Sequence, residues 1–190
     1  MSDHTFDLCP PSKKNILNAS IHDSSGDSPS QAIRISACLI VKDGAATLDR
    51  CLASIVPVVD EIIVVDTGST DGSIEIAQRY TDKVFFYAWH DDFAAARNES
   101  LRHATGDWVF IIDADEELTP NTQDRLRSFL TTQDVKAPQG FAFRALAPGQ
   151  SPLWTRALFP RLPGVHFQGR VHEQLVYQTQ LLPLALAPLQ

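Results

Sequence analysis

The chain has 190 residues, 44% hydrophobic and 21% charged, and a formal net charge of -7. That length favours one domain with a substantial core, and the composition is ordinary for a soluble globular protein. The acidic balance, with no basic block, argues against non-specific nucleic-acid binding. Cys9, Cys38 and Cys51 are odd in number and widely spaced, so neither a zinc site nor a disulfide framework is expected, and the setting reads as reducing and cytoplasmic. The N-terminus has no apolar signal-peptide core, and no apolar run approaches membrane-spanning length.

Residues 1–31 are polar, rich in Ser, Asp and Pro, and too poor in large apolar side chains to offset ordering entropy. They read as a disordered tail, followed by a single ordered domain over 32–190. Ile33 to Val41 forms a first strand. Leu48, Cys51, Leu52 and Ile55 fall on one face of a helix that Pro57 stops. Glu61 to Asp66 holds a second strand that ends in an acid, and Asp71 is a good N-cap for the helix carrying Ile74, Ala77 and Tyr80. Val84 to Tyr87 is a third strand. His90-Asp91-Asp92 offers caps for a small-residue helix over Phe93 to His103.

Trp108 to Ile112 is a continuous apolar run, expected as a strand buried on both faces in the middle of a parallel sheet. Four acids follow among five positions: Asp113, Asp115, Glu116 and Glu117. At a strand's carboxyl end, where ligands bind in open α/β sheets, Asp113 and Asp115 are placed to share a hard cation. An EF-hand loop counted from Asp113 fails, because Leu118 and Asp124 stand where Gly and Glu are needed. A Walker B strand fails for want of any G-x-x-x-x-G-K-[ST] segment. Thr119 and Pro120 start the next helix, with Leu126, Phe129 and Leu130 on its buried side. The alternation predicts an α/β fold with a mostly parallel sheet flanked by helices. From Pro138 the texture changes. Seven of the twelve prolines lie in 138–190, and the short runs at Gly140–Leu146, Leu153–Phe159 and Val165–Phe167 read as strands or loops beside the main sheet, a small irregular C-terminal portion. The apolar, Pro-broken run from Leu181 to Leu189 reads either as packing on the domain or as marking where a longer chain was cut.

Adjacent parallel strands would gather Lys42-Asp43, Asp66 with Gly68, and Asp113 with Asp115 at one edge. That edge offers acceptors for a ribose or base, room for close backbone approach, carboxylates for a metal, and a fixed cation in Arg97 for a phosphate or base. A nucleotide-diphosphate ligand fits such a set. Asp66 to Gly72 is not a G-x-G-x-x-G fingerprint, which argues against an NAD enzyme. Two other function classes compete. A nucleotidyltransferase would want a Gly- and Lys/Arg-rich loop that Lys42-Asp43-Gly44 does not supply; a non-catalytic nucleotide-sugar-binding or assembly module would keep the same binding residues.

The segments Ile35–Asp43, Ile63–Ser73 and Phe110–Glu116, in this order and spacing, resemble the nucleotide-sugar half of family 2 glycosyltransferases of the GT-A fold. Trp89–Asn98 and Gly169-Arg170-Val171-His172-Glu173 resemble more narrowly the bacterial branch of lipopolysaccharide core glucosyltransferases and tetratricopeptide-linked glycosyltransferases. The resemblance covers roughly residues 34–176. It implies inverting sugar transfer from a nucleoside-diphosphate donor, with UDP favoured, using Mg²⁺ or Mn²⁺, to a hydroxyl of a glycan, lipid-linked or protein acceptor. Cell-envelope glycan synthesis would be one setting, with peripheral membrane contact. By the same resemblance Asp43, Asp66 and Gly68 would hold the nucleoside, Arg97 the base or diphosphate, and Asp113 and Asp115 would be the Asp-x-Asp pair, Asp115 the more direct metal ligand. Members often run longer beyond the His-Glu pair, so 137–190 is expected as an acceptor-side portion that is cut short. Glu173 is the expected general base and His172 is expected to approach the metal or diphosphate, with the exchanged assignment, His172 as base, left open. Neighbours in an extended segment face opposite ways, so the two would divide acceptor and donor sides.

Overall fold

The computed structural model describes residues 32–145 and 153–189. The tail expected over 1–31, Cys9 included, lies outside the described residues, and so do the side chains of 143–156, Trp154 among them. The elements run β1 (Ile35–Val41), α1 (Leu48–Ile55), β2 (Glu61–Asp66), α2 (Ser73–Gln78), β3 (Val84–Phe86), α3 (Phe93–His103), β4 (Trp108–Ile111), α4 (Pro120–Leu130), β5 (Gly140–Ala145), β6 (Leu153–Pro160), β7 (Val165–Gln168), β8 (Gln174–Tyr177), β9 (Gln180–Leu181) and β10 (Leu184–Leu186).

Seven strands form one sheet in the order β10-β5-β6-β4-β1-β2-β3, and β7-β8-β9 form a second, three-stranded sheet. β4 pairs parallel with β1 and antiparallel with β6, and β5 is antiparallel to β6 as well. Only β6 is reversed within the large sheet. β4 does sit mid-sheet and is buried throughout, but at the seam where direction changes rather than inside a purely parallel set. The late strands β5, β6 and β10 belong to the main sheet instead of lying beside it. Pairing explains what composition hid: their apolar residues are matched across strands, Phe141 opposite Leu158 for example, and no helical period is needed. The apolar end packs on the domain, with Leu182, Ala187 and Leu189 buried.

Alternation assigns the core. Ile35, Ala37, Leu39 and Val41 of β1 face one side and join a cluster with Leu48, Leu52 and Ile55 of α1 and Leu126 and Leu130 of α4. Cys38 faces the other side and joins Val109 and Ile111 of β4, Ala94 of α3, and Phe167 and Leu175 of the small sheet. Both faces are covered, so the central strands carry near-continuous apolar runs. Cys38 and Cys51 are buried thiols, neither in a disulfide; burial pushes the Cys38 thiol up to about 12, leaving it inert at neutral pH. Among the described residues no helix is long and apolar enough to cross a membrane.

Caps follow the sequence closely. Asp92 accepts from Ala95 N at the start of α3, and Thr119 accepts from Thr122 N ahead of Pro120 in α4. Asp71 is an exception. Gly72 is the N-cap of α2, and Asp71 instead accepts from Ser73 N and, across the site, from Ala45 N.

The amino-terminal edge of the sheet has its own polar hub. The Glu61 side chain is only 8% exposed and pairs with Lys83. It also accepts from Ser36 Oγ, from Thr105 N and Oγ1, and from Gly106 N, so it ties β1, β2 and the turn into β4 together. Burial alone would raise its pKa; Lys83, Ser36 and Thr105 outweigh that and bring it from an ordinary 4.5 down to about 2.

Candidate active site at the carboxyl edge of the sheet

Parallel register puts the strand ends side by side. Val41 is level with Asp66, and β4 continues beside β1 into Ile112 and Asp113. The loops that follow β1 and β2 are cross-linked. Asp43 Oδ1 accepts from Thr70 N at 2.7 Å and Thr70 Oγ1 at 3.2 Å. Asp43 N donates to Ser69 Oγ, Gly44 N to Ser73 Oγ and Ala45 N to Asp71 Oδ2, each at 2.9 Å. Asp71 sits below the usual carboxylate range, chiefly because the Ser73 hydroxyl and Ala45 N–H bond to it.

Asp66 is 2% exposed and turns its carboxylate onto the loop, accepting from Gly68 N at 2.9 Å and Ser69 N at 3.2 Å. Gly68 has φ +108°, and a Cβ there would meet nothing within 4 Å. The glycine answers a backbone need, and the space above it stays open.

Beyond β4, Asp113 N donates to Glu116 Oε2 at 2.8 Å and Glu116 N returns to Asp113 O at 3.1 Å. This tight turn brings oxygens of Asp113, Asp115 and Glu116 within 4.8 Å of one another. An all-carboxylate set of that size suits a hard divalent cation. His172 does not belong to this cluster. Glu117 pairs with Arg50 instead.

Arg97, on the first turns of α3, is the centre of the edge. Its side chain is 13% exposed; Nη2 meets Asp113 Oδ1 at 2.9 Å and Nε meets Glu173 Oε1 at 2.5 Å. The guanidinium also lies 5.8 Å from the Phe167 ring centroid. Burial works against its charge, but Asp113 and Glu173 outweigh it and hold the guanidinium above its ordinary pKa. The next residue, Asn98, bonds the Phe167 backbone both ways, Nδ2 to O at 2.8 Å and Oδ1 from N at 2.7 Å, which docks β7 on α3.

Two clefts meet at Arg97. One, of about 440 Å³, is lined by Lys42, Thr67, Trp89, Phe93, Arg97 and Asp113. The other, of about 330 Å³, is lined by Arg97, Glu173, Gln174 and apolar residues including Leu175 and Leu182. The edge therefore brings Asp43, Asp66, Gly68, Arg97, Asp113 and Asp115 together, with Glu173 joined through Arg97.

His172 and Glu173 do not lie in an extended segment. Gln168 pairs with Gln174 across β7 and β8, so residues 169–173 must turn. Gly169 has φ +101° and His172 φ +56°, and opposite facing from strand alternation does not apply. His103, expected as structural, stacks on Phe85 with centroids 3.5 Å apart and pairs with Glu99; His166 bonds the Gly164 carbonyl. Sequence reasoning missed the Arg97–Glu173 pair, which joins residues 76 apart, and the role of Asn98. Trp89, in the loop before α3, and Phe93, the first residue of α3, both line the larger cleft.

Residues 36–157 match the family model of Glycosyl transferase family 2. Over 145 residues the chain is 43% identical to the TPR repeat-containing protein Synpcc7942_0270 of Synechococcus elongatus, covering 74% of this chain and 35% of that protein. Glucosyl-3-phosphoglycerate synthase from Mycobacterium tuberculosis, solved with uridine-diphosphate, is similar with a TM-score of 0.54 at 23% identity, over 68% of this chain and 57% of that one. The mannosyltransferase PcManGT from Pyrobaculum calidifontis, solved with GDP-Man and Mn²⁺, gives a TM-score of 0.53 at 21% identity, over 75% and 48%. At such identities these structures show a shared fold. The chain spans about a third of the length of the curated relatives it matches.

Proposed function

The chain belongs to glycosyl transferase family 2, and on that premise we propose that it moves a sugar from a UDP-linked donor to an acceptor hydroxyl with inversion. One observation carries this reading: a cleft at the carboxyl ends of adjacent strands is lined by Arg97 and by Asp113, which pairs with that guanidinium and clusters with the carboxylates of Asp115 and Glu116. Similar folds solved with UDP and with GDP-Man and Mn²⁺ support it.

The nucleoside end of the donor lies against the loops of Asp43, Asp66 and Gly68. Asp66 acts through the turn it holds, whose backbone N–H groups it orders. Asp115 and Asp113, with Glu116, would hold Mg²⁺ or Mn²⁺, which when bound would supply positive charge against the leaving diphosphate. Arg97 orients Asp113 toward the donor. On the other side of Arg97, Glu173 serves as general base. The acceptor oxygen attacks the anomeric carbon, the bond from that carbon to the diphosphate oxygen breaks, and the diphosphate keeps the electron pair. The acceptor proton passes to Glu173 Oε2, the oxygen other than the one Arg97 grips. The transition state is oxocarbenium-like, as in glycoside hydrolysis.

The test is product analysis with a panel of nucleotide sugars and Mn²⁺, using alkyl glycosides, peptides and lipid-linked acceptors. Sugar transfer, or donor hydrolysis to UDP, is expected for the wild type and not for Asp115→Asn. Binding of UDP without transfer or hydrolysis on any acceptor would make the chain a donor-binding module instead.

A further inference from the structure

The 169–173 turn is fixed at three places. Asn98 holds its β7 foot at Phe167, Arg97 holds Glu173 at its β8 foot, and Arg170 holds the tip. Arg170 reaches across to the loop before α3, where Nη2 donates to His90 O at 2.9 Å and Nε to Asp91 O at 3.2 Å. Its own carbonyl accepts from Phe93 N at 3.0 Å. The residue so gripped, Asp91, has φ +54°, and its carboxylate accepts from Trp89 Nε1 at 3.0 Å. The Trp89 ring stands edge-on to Phe93 with centroids 4.8 Å apart, and both rings line the larger cleft.

We propose that Arg170 is a positioning residue that makes the aromatic wall of the donor cleft and the turn carrying Glu173 one mechanical unit. The planar base of the donor packs on Trp89. Trp89 keeps its place through Asp91, and Asp91 through Arg170. A guanidinium suits this task, because its Nε and Nη2 donors form a fixed fork that meets the carbonyls of two successive residues. The same tip is three residues from Glu173, so a loaded donor cleft steadies the carboxylate on the acceptor side. The inference rests on the donor-binding reading above.

The test is a double-mutant cycle read by calorimetric titration of UDP with Mn²⁺ on the full chain. Arg170→Ala and Trp89→Ala are each expected to weaken UDP about tenfold, the size of one charge-assisted contact. Together they are expected to cost little more than either alone, because Arg170 acts through Trp89. Turnover of the donor gives a second readout: Arg170→Ala lowers kcat as well, whereas Trp89→Ala raises KM alone. A cycle of Arg170→Lys with Trp89→Phe repeats the measurement with charge and ring kept, should the alanine variants fold poorly. Additive losses, or UDP affinity unchanged in Arg170→Ala, would overturn the coupling while leaving donor binding intact. A wild type that does not bind UDP would overturn the donor reading, and this inference with it.

Discussion

Glu61→Gln isolates the polar hub beneath the site. In the folded chain the carboxyl's pKa is about 2, against 4.5 for the free group. Each pKa unit corresponds to about 1.4 kcal/mol, so the shift contributes at most about 3 kcal/mol of stability. The sign follows from a depressed folded pKa: the contribution is fully present above pH 4.5 and lost as pH falls from there through about 2. A glutamine keeps the shape and one acceptor but leaves the Lys83 ammonium without its counter-charge. Urea unfolding of both proteins at neutral pH is expected to show a loss of about 2–3 kcal/mol for the variant, as for a buried pair broken on one side. Repeated in steps down to about pH 2.5, the gap is expected to shrink as the wild type loses what the variant never had. A gap that stays constant across that range would show that Glu61 stabilises by packing and neutral hydrogen bonds, and the electrostatic account would be wrong.

Three further outcomes are expected. Arg97→Lys keeps a charge but cannot hold Asp113 and Glu173 with separate guanidinium nitrogens, so turnover should fall roughly tenfold or more; near-normal kcat would remove Arg97 from the mechanism. Asp115→Asn should abolish the difference between UDP affinity in Mn²⁺ and in chelator, measured calorimetrically, and an unchanged metal dependence would shift the ion elsewhere. Asp66→Ala leaves Gly68 N and Ser69 N without their acceptor, so thermal unfolding should show a loss of about 1–3 kcal/mol along with weaker UDP binding; a variant with wild-type stability would mean that the turn does not depend on that carboxylate.

Much of residues 32–130 was legible because local rules decide it. The i, i+3, i+4, i+7 spacing from Leu48 to Ile55, the cap at Asp92 and the Thr119-Pro120 start all act within one turn of helix. The strand ends at Asp66 and Asp113 were visible as acids closing apolar runs. Beyond Pro138 the informative contacts are between strands far apart in sequence, such as Phe141 with Leu158, and a single chain carries no mark of that register. The same limit hid the Arg97–Glu173 pair: α3 and the turn before β8 each carry half of it, and only packing of β7 on α3 through Asn98 brings the halves together. The displaced cap at Asp71 has a local cause. The carboxylate is one residue too early and finds Ala45 N in the neighbouring loop. The extended reading of His172-Glu173 fails at Gly169, whose φ of +101° belongs to a turn.

The bonds between residues 43–45 and 69–73 bear on the thermodynamics of ligand capture. Loops at a binding edge commonly lose freedom when a ligand arrives, and that loss subtracts from affinity. Here Asp43, Gly44 and Ala45 are already tied to Thr70, Ser69, Ser73 and Asp71 by hydrogen bonds. The conformational entropy of these loops is therefore given up during folding, not on encounter. Amide hydrogens of Ala45 and Thr70 should exchange slowly even without nucleotide, and nucleotide should slow them little further.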